Sequence, residues 1–303
     1  MILIEVKHQI INFHEAGVTL TVKREDLIHP FVSGNKYRKL KYNLLQAEQE
    51  NKNTLLTFGG AFSNHIAATA AAGSKYGIET IGIIRGEELS SKISENPTLS
   101  FAQEQGMKLQ FISREEYRNK AEASFLKDLR DQYGDFYLLP EGGTNALAVK
   151  GCEEILTAED TDFDYICCAV GTGGTIAGII NSVKPHQKVL GFPALKGDFL
   201  QEEIRKFAKN EQWELISEYH FGGYGKVTTE LIAFINEIYQ KNDIPLDPIY
   251  TGKLFFGVMD LIHKGYFPKG TKIMAIHTGG LQGIQGINKK LEKKHLPIIN
   301  VNV

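Results

Sequence analysis

From residue 54 onward, short apolar runs alternate with longer amphipathic or alanine-rich stretches, and this alternation restricts the fold more than any other feature of the chain. "TLLTF" (54–58) precedes "SNHIAATAAAGSKYG" (63–77), "IETIGIIR" (78–85) precedes "PTLSFAQEQG" (97–106), and "MKLQFIS" (107–113) precedes "EEYRNKAEASFLKDLRDQYG" (115–134). "DFYLLP" (135–140) closes the series. Each apolar run reads as a strand and each longer stretch as a helix. Such alternation predicts parallel sheets covered by helices, because parallel neighbours need a crossover between them. The second half repeats the pattern, with helices over 147–160, 175–184, 197–212, 227–242 and 253–265 and strands over 163–171, 188–195 and 271–280. The expected fold is α/β with two domains, each an open, mostly parallel twisted sheet covered by helices. Residues 41–140 form the smaller domain, inserted in a larger one made of 1–40 plus 141–303. A ligand is expected in the cleft between them.

A chain of 303 residues has room for two such cores. Its formal charge of −2 gives no overall field for nucleic acid or an anionic membrane. Glu5, Lys7, His8 and His14 interrupt the N-terminal apolar run, unlike a secretory leader, and no apolar stretch reaches membrane-spanning length. The three cysteines, Cys152, Cys167 and Cys168, are read as buried and reduced, which suits a cytoplasmic protein. The nine histidines are scattered, and no spacing suggests a metal site.

Three glycine-rich turns carry chemistry. "GTGGT" (Gly171, Thr172, Gly173, Gly174, Thr175) stands between an apolar strand and a helix. Backbone N–H groups and a helix N-terminus can hold a phosphate in that geometry. A plain tight turn is the alternative, and the position favours the anion site. The loop lacks the Gly-Lys-Ser/Thr of a nucleotide-triphosphate loop, and Ile176 stands where a dinucleotide fingerprint needs glycine. A small phosphorylated cofactor fits better, with nicotinamide dinucleotide a distant alternative. "FGGAFSNH" (58–65) supplies Ser63 and Asn64 as natural helix caps and brings His65 into the same turn, as recognition of a carboxylate requires. "HTGG" (277–280) offers Thr278 at the C-terminal edge of a strand, the usual ligand side of such a sheet.

In "SGNKYRKLKYNLLQAEQE" the apolar phase of Tyr37, Leu40, Leu44 and Leu45 predicts a helix, with Ser33 and Asn35 as cap signals. Lys36 then falls in the first turn, where the helix dipole opposes a cation, and Arg38 and Lys39 lower its pKa further. Such a lysine can serve as a Schiff-base amine, while Lys39 and Lys41 are read as solvated charges. A reactive lysine together with a phosphate loop in a two-lobed α/β chain suggests pyridoxal 5'-phosphate (PLP).

With "KREDLIHPFVSGNKYRKL", "GGAFSNH", "GTGGT", "DPIYTGK" and "HTGG" in this order, the chain resembles the fold type II PLP enzymes (tryptophan synthase beta-like), specifically the ACC deaminase / D-cysteine desulfhydrase family. The resemblance implies Lys36 as the Schiff-base lysine and Gly171, Thr172, Gly173, Gly174 and Thr175 as the phosphate cradle. It implies Asn64 against the cofactor's ring hydroxyl, Thr278 against the pyridine nitrogen, and Ser63 at the substrate carboxylate as a proton shuttle. Tyr224 and Tyr250 resemble the family's two active-site tyrosines, so Ser63, Asn64, His65, Tyr224 and Tyr250 are expected around the substrate. Deaminases acting on the cyclopropane substrate carry Glu directly after the second tyrosine, whereas this chain has Thr251, as in the desulfhydrase branch. Phe62 stands where desulfhydrases often have Gln and would give the substrate an apolar wall.

The implied activity is PLP-dependent α,β-elimination on a small amino acid, with D-cysteine giving pyruvate, hydrogen sulfide and ammonia. ACC deamination, or elimination from D-serine or β-chloro-D-alanine, is the alternative chemistry, and a non-enzymatic PLP carrier the alternative class. The family implies a homodimer.

Overall fold

The structure is a computed structural model and describes residues 5–13 and 17–302; His14 lies outside them. The elements are, in chain order, β1 (His8–Phe13), β2 (Val18–Lys23), α1 (Asn35–Gln49), β3 (Thr54–Gly59), α2 (Asn64–Tyr76), β4 (Glu79–Arg85), α3 (Pro97–Glu104), β5 (Lys108–Ile112), α4 (Ala123–Tyr133) and β6 (Tyr137–Leu139). There follow α5 (Ala146–Cys152), β7 (Tyr165–Val170), α6 (Gly174–Ser182), β8 (Lys188–Pro193), α7 (Phe199–Arg205), β9 (Trp213–Leu215), α8 (Thr229–Asn242), α9 (Thr251–His263), β10 (Lys272–Ile276) and α10 (Gly283–Glu292). Two sheets result. One is four-stranded and wholly parallel, in the order β5-β4-β3-β6. The other is six-stranded, in the order β1-β2-β10-β7-β8-β9, and parallel except where β1 runs antiparallel to β2.

The central strands show why these runs are strands rather than buried helices. In β7, Cys167 and Ala169 face the core cluster formed with α8 and α9, whereas Ile166, Cys168 and Val170 face the opposite cluster with α6 and α7. In β10, Ile273 and Ala275 take the first face and Met274 and Ile276 the second. This period of two, with both faces buried, is what an interior parallel strand requires. Burying each such aliphatic side chain contributes roughly 1.5–3 kcal/mol.

Three predicted helices are shorter than their patterns. The 115–134 stretch is a 3-10 turn (Glu116–Asn119) followed by α4, the 147–160 stretch stops as a helix at Cys152, and the 197–212 stretch is helical only over Phe199–Arg205. Asn119 and the Thr157/Asp160 capping box divert the backbone into local side-chain and turn hydrogen bonds.

α1 ties the halves together. Its Leu40 and Ala47 pack into the core of the four-stranded sheet, and it also packs along α5. Its start is fixed from the other sheet. The Asn35 amide donates to the Thr278 carbonyl at 3.2 Å, just beyond β10. Gly34 sits at φ +57°, and a Cβ there would meet that same carbonyl oxygen at 1.9 Å. Only glycine permits this approach. The helix is therefore capped by Gly34 without a side-chain hydrogen bond, rather than by Ser33 or Asn35.

The loop entering α1 buries charge. Glu25 is fully buried and accepts from Arg38 Nη2 at 2.8 Å and Nε at 2.9 Å. Arg38→Met would leave that carboxylate buried and unpaired, and is expected to destabilise the fold by ~3–5 kcal/mol in urea unfolding. The double variant Glu25→Met/Arg38→Met is expected to recover most of the loss; a double variant as unstable as the single one would mean that packing, not unpaired charge, sets the penalty.

Candidate functional site

The N-termini of α1, α2 and α6 and the C-terminal ends of β7 and β10 converge on one cavity between the sheets. Lys36, Ser63, Asn64, His65, Gly171, Thr172, Gly173, Thr175, Tyr224, Tyr250 and Thr278 all line it, and Gly174 lies beside it against Thr144. Among the described residues, no carboxylate lines this cavity.

Lys36 reaches in from the first turn of α1. Its Nζ donates to Asn35 Oδ1 at 3.2 Å, and Asn35 Nδ2 donates onward to Thr175 Oγ1 at 2.8 Å, which links the lysine to the glycine loop. Burial, and then the Lys39 ammonium, lower its pKa to about 7. This corrects the sequence argument, which assigned the shift to the dipole and to both neighbouring cations. Arg38 is neutralised by Glu25, and desolvation dominates. Lys39 is likewise no solvated charge. It is 2% exposed, lies among no carboxylates, and donates to the Gly142 carbonyl at 3.0 Å and Thr144 Oγ1 at 2.9 Å. Burial lowers its pKa as well. Lys41 is paired with Glu154 at 2.5 Å.

The glycine loop leaves several backbone donors open. Gly173 caps α6 at φ +83°, a left-handed conformation that glycine adopts without strain, and it offers no side-chain cap. Among the described residues, the N–H groups of Gly173, Gly174, Thr175 and Ile176 meet no acceptor. Lys39 Nζ comes within 3.3 Å of where a Gly174 Cβ would stand. Open N–H groups, a helix N-terminus and an unpaired buried ammonium together suit a phosphate dianion.

On the facing side, Ser63 caps α2 by accepting from the Ile66 amide at 3.3 Å. Asn64 is the first helical residue rather than a cap, and its Oδ1 accepts from Gln282 Nε2, a partner the sequence did not suggest. His65 lies behind these two. Thr57 Oγ1 donates to the Leu139 carbonyl at 3.0 Å, so at 2.8 Å His65 Nε2 donates to Thr57. That leaves Nδ1 a buried acceptor with no partner among the described residues, and burial plus Lys36 hold the ring neutral.

Tyr224, half-exposed, stands edge-on over the deeper Tyr250 with ring centroids 6.2 Å apart. Burial raises the Tyr250 pKa well above its ordinary value, so its hydroxyl keeps its proton. The turn bearing Tyr224 is held from below by Lys253, whose buried Nζ donates to the His220 and Gly223 carbonyls at 2.9 Å each. Burial lowers its pKa to about 8. Sequence reasoning missed Lys253, although it ends the "DPIYTGK" motif.

Two residues singled out through the family resemblance, Thr251 and Phe62, do not line this cavity. Thr251 does not face the cavity: its hydroxyl donates to Asp247 Oδ1 at 2.8 Å and accepts from the Asp247 amide at 2.9 Å. Of the two threonines, Thr278 is the one on the cavity wall. Phe62 lines a neighbouring cavity instead, with the Lys290 ammonium 4.0 Å from its ring centroid.

Comparison with known proteins agrees with this geometry. The family model described as "Pyridoxal-phosphate dependent enzyme" matches residues 8–279. A protein of Pyrococcus horikoshii named putative 1-aminocyclopropane-1-carboxylate deaminase is 32% identical, covering 91% of this chain and 89% of its own. The bifunctional D-cysteine desulfhydrase/1-aminocyclopropane-1-carboxylate deaminase of Arabidopsis thaliana is 33% identical over 88% of this chain and 74% of its own. A crystal structure of an ACC deaminase homologue superposes with a TM-score of 0.84 at 29% identity, covering 96% of this chain and 94% of its own.

The depressed pKa of Lys36 has a measurable effect on stability. Folded, it loses its proton near pH 7; unfolded, near the ordinary 10.5. Between these values the unfolded state binds more protons, so the penalty from this lysine fades as pH rises. In protein stripped of cofactor, Lys36→Met is expected to be more stable than wild type at pH 7 by on the order of 2–4 kcal/mol. That gap should narrow by pH 10 in urea titrations, and a gap that stays constant would show that the lysine is not held in a desolvated site.

Proposed function

The chain belongs to the pyridoxal-phosphate-dependent enzymes of the ACC deaminase / D-cysteine desulfhydrase family, and from that premise we propose that it catalyses α,β-elimination on a small amino acid, with D-cysteine and water giving pyruvate, hydrogen sulfide and ammonia. The residues present fit the cofactor. Lys36 would hold its aldehyde, and the open N–H groups of Gly173, Gly174, Thr175 and Ile176 with the Lys39 ammonium would hold its phosphate. Asn64 would meet the ring hydroxyl and Thr278 the ring nitrogen. Bound, PLP supplies an electron sink for the bond broken at the substrate Cα.

The protein's own groups then handle binding and protons. The α2 N-terminus, with Ser63 at its cap, suits the substrate carboxylate. Lys36 Nζ, with a pKa of about 7, accepts a proton from Cα at neutral pH and can return one afterwards. Tyr250, protonated, offers a hydrogen bond to the departing sulfur, and Tyr224 covers the mouth. Such general acid–base help is worth ~10²–10⁴ in rate.

The observation that carries this reading over ACC deamination is the carboxylate-free cavity wall. A carboxylate against the ring nitrogen would keep it protonated and strengthen the electron sink, as opening a cyclopropane with no α-hydrogen demands; a threonine hydroxyl does not. ACC deamination remains the second reading because relatives carry that name. A non-enzymatic carrier is excluded by membership of an enzyme family.

Lys36→Ala is expected to lose both the visible absorbance of the lysine-bound cofactor and at least ~10³-fold of sulfide release from D-cysteine. Sulfide release surviving in that variant would remove Lys36 from the reaction. α-Ketobutyrate release from ACC as fast as pyruvate release from D-cysteine would favour the second reading.

A further inference from the structure

The lysine-lined cavity adjoins a second one of ≈ 460 Å³, and Asn64, Tyr224 and Tyr250 line both. That size falls in the ~300–1,000 Å³ range of small-molecule sites and far exceeds what a thiol leaving group needs. Its walls are apolar, with Phe62, Val227, Ile287 and Leu291 among them, while Lys226, Lys290 and Lys294 supply its charge. Among the described residues, Asp247 is the one acidic residue lining it. Both Asp247 carboxylate oxygens are occupied by the Ile249, Tyr250 and Thr251 amides and the Thr251 hydroxyl.

Lysines at the ends of α8 and α9 are paired with carboxylates. Lys241 and Lys264 pair with Glu237 and Asp260 one turn away on their own helices. Lys226, Lys290 and Lys294 belong to none of the ion pairs among the described residues. A helix C-terminus attracts cations, and Lys289 and Lys290 both lie in the last turn of α10, but of these two only Lys290 lines the cavity. It does not account for Lys226, which comes from the Tyr224 turn on the opposite wall. Nor does it account for the direction of the Lys290 side chain, whose ammonium is held over the Phe62 ring. Partial burial and the Lys294 charge lower the Lys290 pKa, and Lys226, Lys290 and Lys294 are exposed at the rim of the cavity.

We propose that this second cavity receives the distal part of the substrate: a β-substituent with an apolar stem that ends in an anion. The stem runs past Asn64 and the two tyrosines along Phe62 and Ile287, and the anionic end meets Lys290, Lys294 and Lys226. The proposal deepens the elimination reading and rests on it for the statement that the occupant is a substrate. Elimination then breaks the Cβ–heteroatom bond, the stem leaves with that bond's electron pair and takes up a proton, and water converts the remaining three-carbon enamine to pyruvate and ammonia.

Binding is measured by calorimetry on the holoenzyme with compounds that cannot eliminate: 2-aminoheptanedioate, 2-amino-7-phosphonoheptanoate and the neutral 2-aminoheptanoate. At least one anionic compound is expected to bind tenfold or more tighter than the neutral one, and the tighter of the two identifies the end group as carboxylate or phosphate. Lys290→Met/Lys294→Met should reduce that preference to twofold or less, whereas Lys293→Met, which removes a charge from the same helix outside the cavity, should leave it intact. Equal affinities in wild type, a preference that survives the double variant, or an equal loss in Lys293→Met would each overturn the proposal. Pyruvate is assayed in parallel from cysteine thioethers with matching carboxylate or alkyl tails. If no amino acid releases pyruvate while the binding preference holds, the elimination reading fails and the anion-ended pocket stands.

Discussion

The approach of Gly34 and Asn35 to the Thr278 carbonyl is the contact from which the rest of the site follows. It joins the start of the helix that bears Lys36 to the end of β10, the strand between β2 and β7 in the larger sheet. Once that contact is made, Lys36 projects over the C-terminal edge of the sheet, Thr278 stands on the same wall, and Asn35 spans the gap to Thr175 in the glycine loop. The lysine, the loop and the strand end are thus positioned by backbone geometry, which holds them more rigidly than side-chain packing alone could.

Charge in this protein is distributed against the usual rule that ionic groups face water. Lys23, Arg24, Glu25 and Asp26 are all buried, and each has an ionic partner: Lys23 with Asp160, Arg24 with Asp26, and Glu25 with Arg38. Lys36 and Lys39, a few residues on, have no carboxylate partner among the described residues. The contrast sets the cavity apart from the frame. Paired charges form the frame, and the two unpaired amines border the cavity, where one loses its proton near neutrality and the other faces open N–H groups.

The sequence revealed period and turn chemistry well, and long-range pairing poorly. Both-faces-buried strands such as "YICCAV" and the Ser63 cap were legible because their causes are local. Of the residues gathered in the cavity, Lys36, Ser63 and the glycine loop were suggested by local turn chemistry, whereas Tyr224 and Tyr250 came only from the family resemblance. The β1–β2 hairpin, α10 and β9 were not assigned, since the first and last of these depend on partners far along the chain. Lys39, Lys253 and Thr251 were misjudged or missed for the same reason. Each side chain's role is decided by what surrounds it: carbonyls from residues 142, 220 and 223 in the case of the lysines, and Asp247 for the threonine. Burial of a lysine has no signature in a window of its neighbours.

Pairing of β2 with β10 joins residues 19–23 to 272–276. The four-stranded sheet lies wholly between residues 54 and 139. On the ribosome that unit can close while the chain is still emerging, but α1 has no Thr278 carbonyl to seat against until the last strand has been made. During that interval the buried charges of residues 23–26 lack their frame, and the edge that β2 presents to β10 is open. The cavity wall shared by Lys36 and Thr278 is therefore completed only after every other strand is in place.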